Sequence, residues 1–204
     1  MMMAAGRLLL GLALSVLLGG AAQASSRPAA STQANSGHGA PTADIRILSA
    51  RTYARDRVYY LDATARLRLD GKLENALNNG VSLTLSYDIR VVHPGPWWWF
   101  NNTVAAVHQR YRLRYRPLSQ RYQVDNLNTG ISSSYATLDG ALAHIERLRR
   151  FPVLDQSLLP KGKVVVAEVR LHVDAADLPL PLRVRAYFNS AWRPSSAWYQ
   201  CAFR

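Results

Sequence analysis

The stretch Val104–Arg116, VAAVHQRYRLRYR, decides how this chain folds. Val107, Gln109, Tyr111, Leu113 and Tyr115 fall on one side of an extended backbone, and His108, Arg110, Arg112, Arg114 and Arg116 fall on the other. A period of two with one apolar and one charged side predicts a long β-strand whose arginine face meets solvent. Pro117 to Ser119 then turn the chain, and Gln120 to Leu127 pair back to it as a hairpin.

The same period runs through much of the sequence. Ile45 and Ile47 open a strand that reaches Tyr53, and Arg55-Asp56-Arg57 form a polar turn. Leu61, Ala63, Ala65, Leu67 and Leu69 alternate with polar residues on its partner strand. Lys72 to Asn79 read as a short helix stopped by Gly80. Val81, Leu83, Leu85, Tyr87, Ile89 and Val91 make another strand, which His93-Pro94-Gly95-Pro96 end. Thr137 caps a helix whose stripe is Leu138, Ala141, Leu142, Ile145 and Leu148, ending before Pro152. Lys163 to Ala175, Leu182 to Phe188 and Ala197 to Phe203 are expected as strands. The fold class is therefore mainly β, an antiparallel β-sandwich-like domain of seven or eight strands with one packed α-helix over about residues 137–150.

The N-terminus assigns a compartment. Arg7 precedes an 11-residue apolar run, Leu8 to Leu18, and Ala22-Gln23-Ala24 has the small-x-small pattern of a cleavage site. Residues 1–24 are thus expected to be a cleaved signal peptide, residues 25–42 a flexible Ser/Ala/Gly/Pro-rich leader, and residues 43–204 a single β-rich domain. The mature chain would be periplasmic, with no transmembrane segment after cleavage.

Of the 204 residues, 25 are Lys or Arg and 13 are Asp or Glu; losing Arg7 leaves 24 basic residues, a net charge of +11. In an exported protein such a balance points away from nucleic acid. It points toward anionic lipid, lipopolysaccharide, acidic glycans or an acidic protein face. Over half of that excess is local: no acidic residue lies between Asp88 and Asp125, while Arg90, Arg110, Arg112, Arg114, Arg116 and Arg121 do. A strand rise of roughly 3.3 Å per residue sets the arginine row at a spacing of about 7 Å, suited to gripping phosphate or carboxylate groups. A solvated face whose charges are matched by residues such as Asp62 or Asp88 would produce the same pattern. Trp97, Trp98 and Trp99 stand beside Pro94-Gly95-Pro96, and consecutive strand residues cannot all enter one core. They are either an exposed aromatic anchor or, with Trp192 and Trp198, a lid over one end of the sandwich.

Motifs for catalysis are absent: there is no G-x-S-x-G, H-E-x-x-H, S-x-x-K, P-loop or dinucleotide glycine pattern, and the five histidines have no ligand spacing. No enzyme activity, cofactor or metal is expected. Lone Cys201 excludes an intramolecular disulfide framework.

The order of Trp97-Trp98-Trp99, Tyr111 to Val124 and Asn128-Thr129-Gly130 resembles a secreted proteobacterial family known as domain of unknown function 4390. Leu138 to Leu148 is similar to its helix. Leu178-Pro179-Leu180-Pro181-Leu182 is similar to its Leu-Pro turn, and Trp192 with Ser195 to Trp198 to its tail. The resemblance implies a small exported protein without an assigned activity, whose gene in many relatives lies beside one for a two-component sensor kinase. It transfers no site residue. The resulting expectation is a monomeric or weakly associating binding or accessory module for an anionic or amphipathic envelope partner, a sensor kinase's periplasmic segment among them. A structural envelope protein without a ligand is the alternative, and an unrecognised hydrolase is a more distant one.

Overall fold

The computed structural model describes residues 43–94, 102–160, 162–175 and 178–203. All of them belong to the second of the chain's two units, His38–Arg204. Nine strands form two antiparallel sheets among the described residues, and no closed barrel is formed. The smaller sheet has the order β1-β2-β7, from β1 (Asp44–Arg55), β2 (Val58–Arg68) and β7 (Arg147–Asp155). The larger has the order β6-β5-β4-β3-β8-β9. Its members are β3 (Leu83–His93), β4 (Asn102–Arg116), β5 (Arg121–Asn126), β6 (Ser132–Tyr135), β8 (Val166–Asp174) and β9 (Tyr199–Ala202).

The inner faces carry the core. Leu61, Ala63, Ala65 and Leu67 of β2 face Leu83, Leu85, Tyr87, Ile89 and Val91 of β3, with Leu113, Val124, Val169 and Leu171 beside them, all buried. The β4 alternation holds: Gln109, Tyr111 and Leu113 are buried, and the arginines lie on the opposite side. Tyr87 donates its hydroxyl to the Ile145 carbonyl at 2.9 Å, tying the large sheet to a helix. At one flank the sheet edges meet, where Thr52 Oγ1 donates to the Ala202 carbonyl at 2.8 Å.

Three α-helices accompany the sheets among the described residues. Asp70 caps α1 (Gly71–Asn78) by accepting from the Leu73 amide at 2.9 Å, and Leu73 and Leu77 enter the core. Gly80, at φ 86, turns the chain out of it, a left-handed conformation glycine adopts without strain. Thr137 caps α2 (Leu138–Ile145), which buries Ala141, Leu142 and Ile145.

Four expectations need correcting. The mainly β, antiparallel class holds, but among the described residues there are nine strands and three α-helices, against the expected seven or eight strands and one packed helix beside the short one at Lys72 to Asn79. The helix after Thr137 stops at Ile145 rather than running to about residue 150. Leu148 is instead buried on β7 opposite Ala63, and the apolar spacing merely continued across the break. Pro152 then sits within β7, tolerated because β7 is an edge strand with no neighbour to receive an outward N–H. Leu182 to Phe188 is not a strand but most of α3 (Leu180–Phe188). The Pro179 carbonyl accepts from the Leu182 and Arg183 amides, both at 2.9 Å, and the ring of Pro181 fits a first turn that needs no donor there. The last strand is only β9, shorter than Ala197 to Phe203.

Candidate functional site

The outward face of the six-stranded sheet is a layer of charge, and strand register assembles it. Asp88, at the centre of β3, lies between His108 of β4 and Arg170 of β8. Its Oδ2 accepts from Arg170 Nη2 at 2.6 Å, its Oδ1 lies 2.8 Å from His108 Nδ1, and His172 Nδ1 is 3.4 Å from Oδ2. Burial pushes this carboxyl up, but hydrogen bonds from Arg170 and His108 and the neighbouring positive charges outweigh it and hold it below its ordinary value. Two residues along, Arg90 Nη2 donates to Glu168 at 2.7 Å, and Gln200 Nε2 donates to the same carboxylate at 2.9 Å. The Trp198 ring covers both pairs, 3.8 Å from the Arg90 guanidinium carbon and 4.6 Å from that of Arg170. Trp198 therefore stacks on arginines at the outer face instead of closing an end of the core.

The predicted arginine row occupies the other half of this face, and its members differ. Arg114 pairs with Asp125, which also accepts from Gln123 Nε2 and Ser132 Oγ, both at 2.6 Å. Burial raises that carboxyl and these bonds lower it further, leaving it depressed. Arg110 Nη2 is 3.8 Å from Asp174. Arg116 donates to Gln123 Oε1 at 2.9 Å and Arg121 to Ser134 Oγ at 3.0 Å, both neutral acceptors. Arg112 lies between Thr84 and Asp125 in register. Among the described residues no carboxylate comes within ion-pair reach of Arg112, Arg116 or Arg121. Register also sets Arg116 directly opposite Arg121, a like-charge pair that repels. The hairpin tip between them presents Leu118, wholly exposed.

The expected counter-charges were Asp62 and Asp88. Asp62 lies on the other sheet with Arg51, and Asp88 serves Arg170 and His108; the row instead meets Asp125 and Asp174. Arg90, Glu168, Arg170 and Trp198 were not foreseen as one cluster. Their signal was the alternation of Glu168, Arg170 and His172 on β8, which fixes a face but not what lies across from it. Trp97, Trp98 and Trp99 lie outside the described residues. The strand ends that border them, His93 and Asn102, pair at the opposite end of β4 from Arg116 and Arg121.

A cavity of about 390 Å³ opens beside β8, lined by Arg170, His172, Asp174, Arg193 and Ser195 among others. Burial pushes the His172 imidazole down, against the opposing pull of Asp88. The Ser195 hydroxyl donates to the Ser196 carbonyl at 3.1 Å, not to His172, so this arrangement does not couple a nucleophile to a base. Cys201 is half-buried, and burial pushes its thiol up to about 11, away from the reactive thiolate. No group of three or more His, Cys, Asp or Glu residues could hold a metal ion among the described residues. No helix among them is long and apolar enough to cross a membrane.

No curated protein and no solved structure matches the chain. A family model does, over residues 42–202, and by that match the chain belongs to the family described as Domain of unknown function (DUF4390).

Proposed function

We propose that this chain is an exported, periplasmic binding or accessory module that engages an anionic envelope surface through the hairpin end of the β4–β5 face. The observation that carries this reading is local. On a sheet face where Arg90, Arg110, Arg114 and Arg170 each meet a carboxylate, Arg112, Arg116 and Arg121 meet none among the described residues, and Arg116 and Arg121 flank the turn that carries the exposed Leu118. Guanidinium groups that the fold leaves unneutralised beside an apolar tip fit lipid phosphates with acyl chains beneath. Export is supported by the signal-like pattern of residues 1–24. A link to two-component signalling rests on the gene neighbourhood that the family resemblance implies.

Each arginine near an anionic bilayer contributes about 1 kcal/mol, so losing three weakens binding about 100-fold. Co-sedimentation with vesicles of phosphatidylglycerol and phosphatidylcholine, titrated with salt, measures this directly. The triple variant Arg112→Gln, Arg116→Gln, Arg121→Gln loses that factor. The control Arg110→Gln, Arg114→Gln loses much less, because those charges are already matched. Absence of binding at low ionic strength, or a triple variant that binds like the parent, rejects the proposal in favour of an envelope protein without a ligand. A mature N-terminus near Ser25, read by mass spectrometry of protein recovered from the periplasm, tests export; an intact Met1 in the cytosol rejects it.

A further inference from the structure

The three-stranded sheet carries a second constellation on its outward face. Tyr53 and Tyr60 lie directly opposite one another across β1 and β2, with ring centroids 5.9 Å apart and planes 22° from parallel. With Arg55, Asp56 and Arg150 they line a cavity of about 360 Å³, a size within the small-ligand range. Its floor is fixed by one buried carboxylate. Asp62 accepts from Arg51 Nη2 at 2.8 Å, from the Arg150 backbone N–H at 2.8 Å and from the Tyr53 hydroxyl at 3.5 Å, with Arg149 Nη1 at 3.9 Å. Asp62 is therefore fully engaged below the cavity. At the rim Arg55 pairs with Asp56 at 3.3 Å, both well exposed. The Arg150 guanidinium has no carboxylate within ion-pair reach among the described residues.

The backbone adds an independent observation. Of the four non-glycine residues with positive φ among the described residues, three gather here: Asp56 at 50°, Arg57 at 65° and Arg150 at 48°. Asp56 and Arg57 close the two-residue hairpin between Arg55 and Val58, a turn that favours Asn-Gly or Asp-Gly. Arg150 bulges from β7 and still delivers its N–H to Asp62. Glycine would satisfy both backbone needs at Arg150 without strain; what glycine lacks is the guanidinium. Strain retained beside a cavity points to a use for the side chain.

Tyr53 and Tyr60 stack on each other, with the Arg51 guanidinium 6.0 Å from the centre of the Tyr53 ring, and the outer surface of this aromatic pair suits the apolar C–H face of a sugar ring, while the Arg150 guanidinium can grip a carboxylate bidentately. The Arg55–Asp56 pair at the rim offers both donors and an acceptor, which ring hydroxyls need and an aromatic acid does not. The lining charges, two arginines against one aspartate, leave a single positive charge. We infer that the cleft between Tyr53, Tyr60 and Arg150 binds an acidic saccharide of the uronic-acid class. The site is separate from the arginines of the larger sheet and stands or falls without them.

Isothermal titration of the mature chain with trigalacturonate, and with neutral maltotriose as comparison, tests this in the Arg112→Gln, Arg116→Gln, Arg121→Gln background, which removes the other anion-attracting surface. Trigalacturonate is expected to bind at least tenfold more tightly than maltotriose. Arg150→Gly is expected to abolish that preference while the melting temperature holds or rises, and Tyr60→Leu to weaken both sugars tenfold. Equal binding of the two sugars, binding of neither, tighter binding of benzoate than of trigalacturonate, or an Arg150→Gly chain that keeps its preference overturns the inference.

Discussion

The two outward faces of this sandwich solve the same problem differently. The three-stranded sheet gathers Arg51, Arg149 and the Arg150 amide onto one carboxylate, Asp62, and leaves a cleft above it. The six-stranded sheet spreads Asp88, Asp125, Glu168 and Asp174 among seven arginines, pairing some and leaving Arg112, Arg116 and Arg121 without a carboxylate among the described residues. A focused arrangement makes a pocket and a distributed one makes a surface. The difference follows from width. Asp62 lies on the middle strand of three, within reach of both edges, whereas no single carboxylate can span six strands about 4.8 Å apart.

The sharpest way to break this contrast is to remove each central acid. Asp88 and Asp62 are both nearly buried, but the side chain of Arg170, bonded to Asp88, is 34% exposed, and that of Arg51, bonded to Asp62, is 74% exposed. Water compensates an orphaned Arg51 far better than an orphaned Arg170. Asp88→Ala is therefore expected to cost about 3 kcal/mol and Asp62→Ala about 1.5 kcal/mol in urea unfolding, the second mostly from the lost bond to the Arg150 amide. Equal losses, or a larger one at Asp62, would show that exposure of the partner does not govern these pairs.

Acid sharpens the same comparison. Asp62, Asp88 and Asp125 are each pushed up by burial and pulled down further by hydrogen bonds and arginine charges, so their folded values lie below the unfolded value near 4. The unfolded state then binds protons more readily, and stability present above about pH 4 is lost as pH falls through the depressed folded values. His172 and His144, pushed down chiefly by burial, add a shallower decline as pH falls below about 6.5, because the unfolded imidazoles protonate first. Thermal melts from pH 7 to 2.5 are expected to show both branches, the acid one being worth about 1 to 2 kcal/mol for the three carboxylates. Asp88→Asn should flatten the acid branch more than Asp62→Asn does. A melting temperature that rises on acidification would contradict the assignment.

How far these faces could be read from residues alone depended on what each strand touches. In β4 one side meets the core and the other does not, so Tyr111 and Leu113 alternate openly with Arg112 and Arg114. β3 shows the opposite case: Leu83 through Ile89 are buried without a break, because arginines from β4 and β8 lie across its polar side. Asp88, expected on a solvated face, is buried, and so is Ser86. β6, Ser-Ser-Ser-Tyr, has no hydrophobic pattern to read, being a short edge strand held by pairing with β5. The end of helix α2 after Ile145 is set by tertiary bonds, since the Ala65 amide and the Leu67 amide both bind Glu146, each at 2.8 Å. The arginine row was legible as a row. Which of its members stay unmatched was not, because Asp174 comes from β8, whose place in the sheet the sequence did not reveal, and because Asp125, on the expected hairpin partner, pairs with Arg114 although Arg112 lies opposite it in register. The tyrosine cleft depends on a cross-strand register and on the left-handed backbone of Arg150, neither of which leaves a local signature in residue type.

The smallest expected effect tests whether the unmatched end of the large sheet is held against its own stability. Arg116 and Arg121 face one another across β4 and β5, each giving its Nε to a neutral oxygen rather than to a carboxylate. Like charges directly opposed destabilise a ladder by roughly 0.2 to 1 kcal/mol, and both side chains are exposed, which places this pair at the low end. Arg121→Gln keeps a donor for Ser134 while removing one of the two charges, so it should stabilise the fold by about 0.3 kcal/mol at 10 mM salt. At 1 M salt, where the screening length is about 3 Å, that gain should vanish. Arg51→Gln on the small sheet should show the reverse, a slight loss at low salt that shrinks as salt rises, because Arg51 faces Asp62. Opposite salt slopes for the two variants would establish that one face conserves its charge balance while the other carries an excess that only a partner can relieve. Parallel slopes would place both faces in the same class and remove the reason to expect anion binding at the hairpin end.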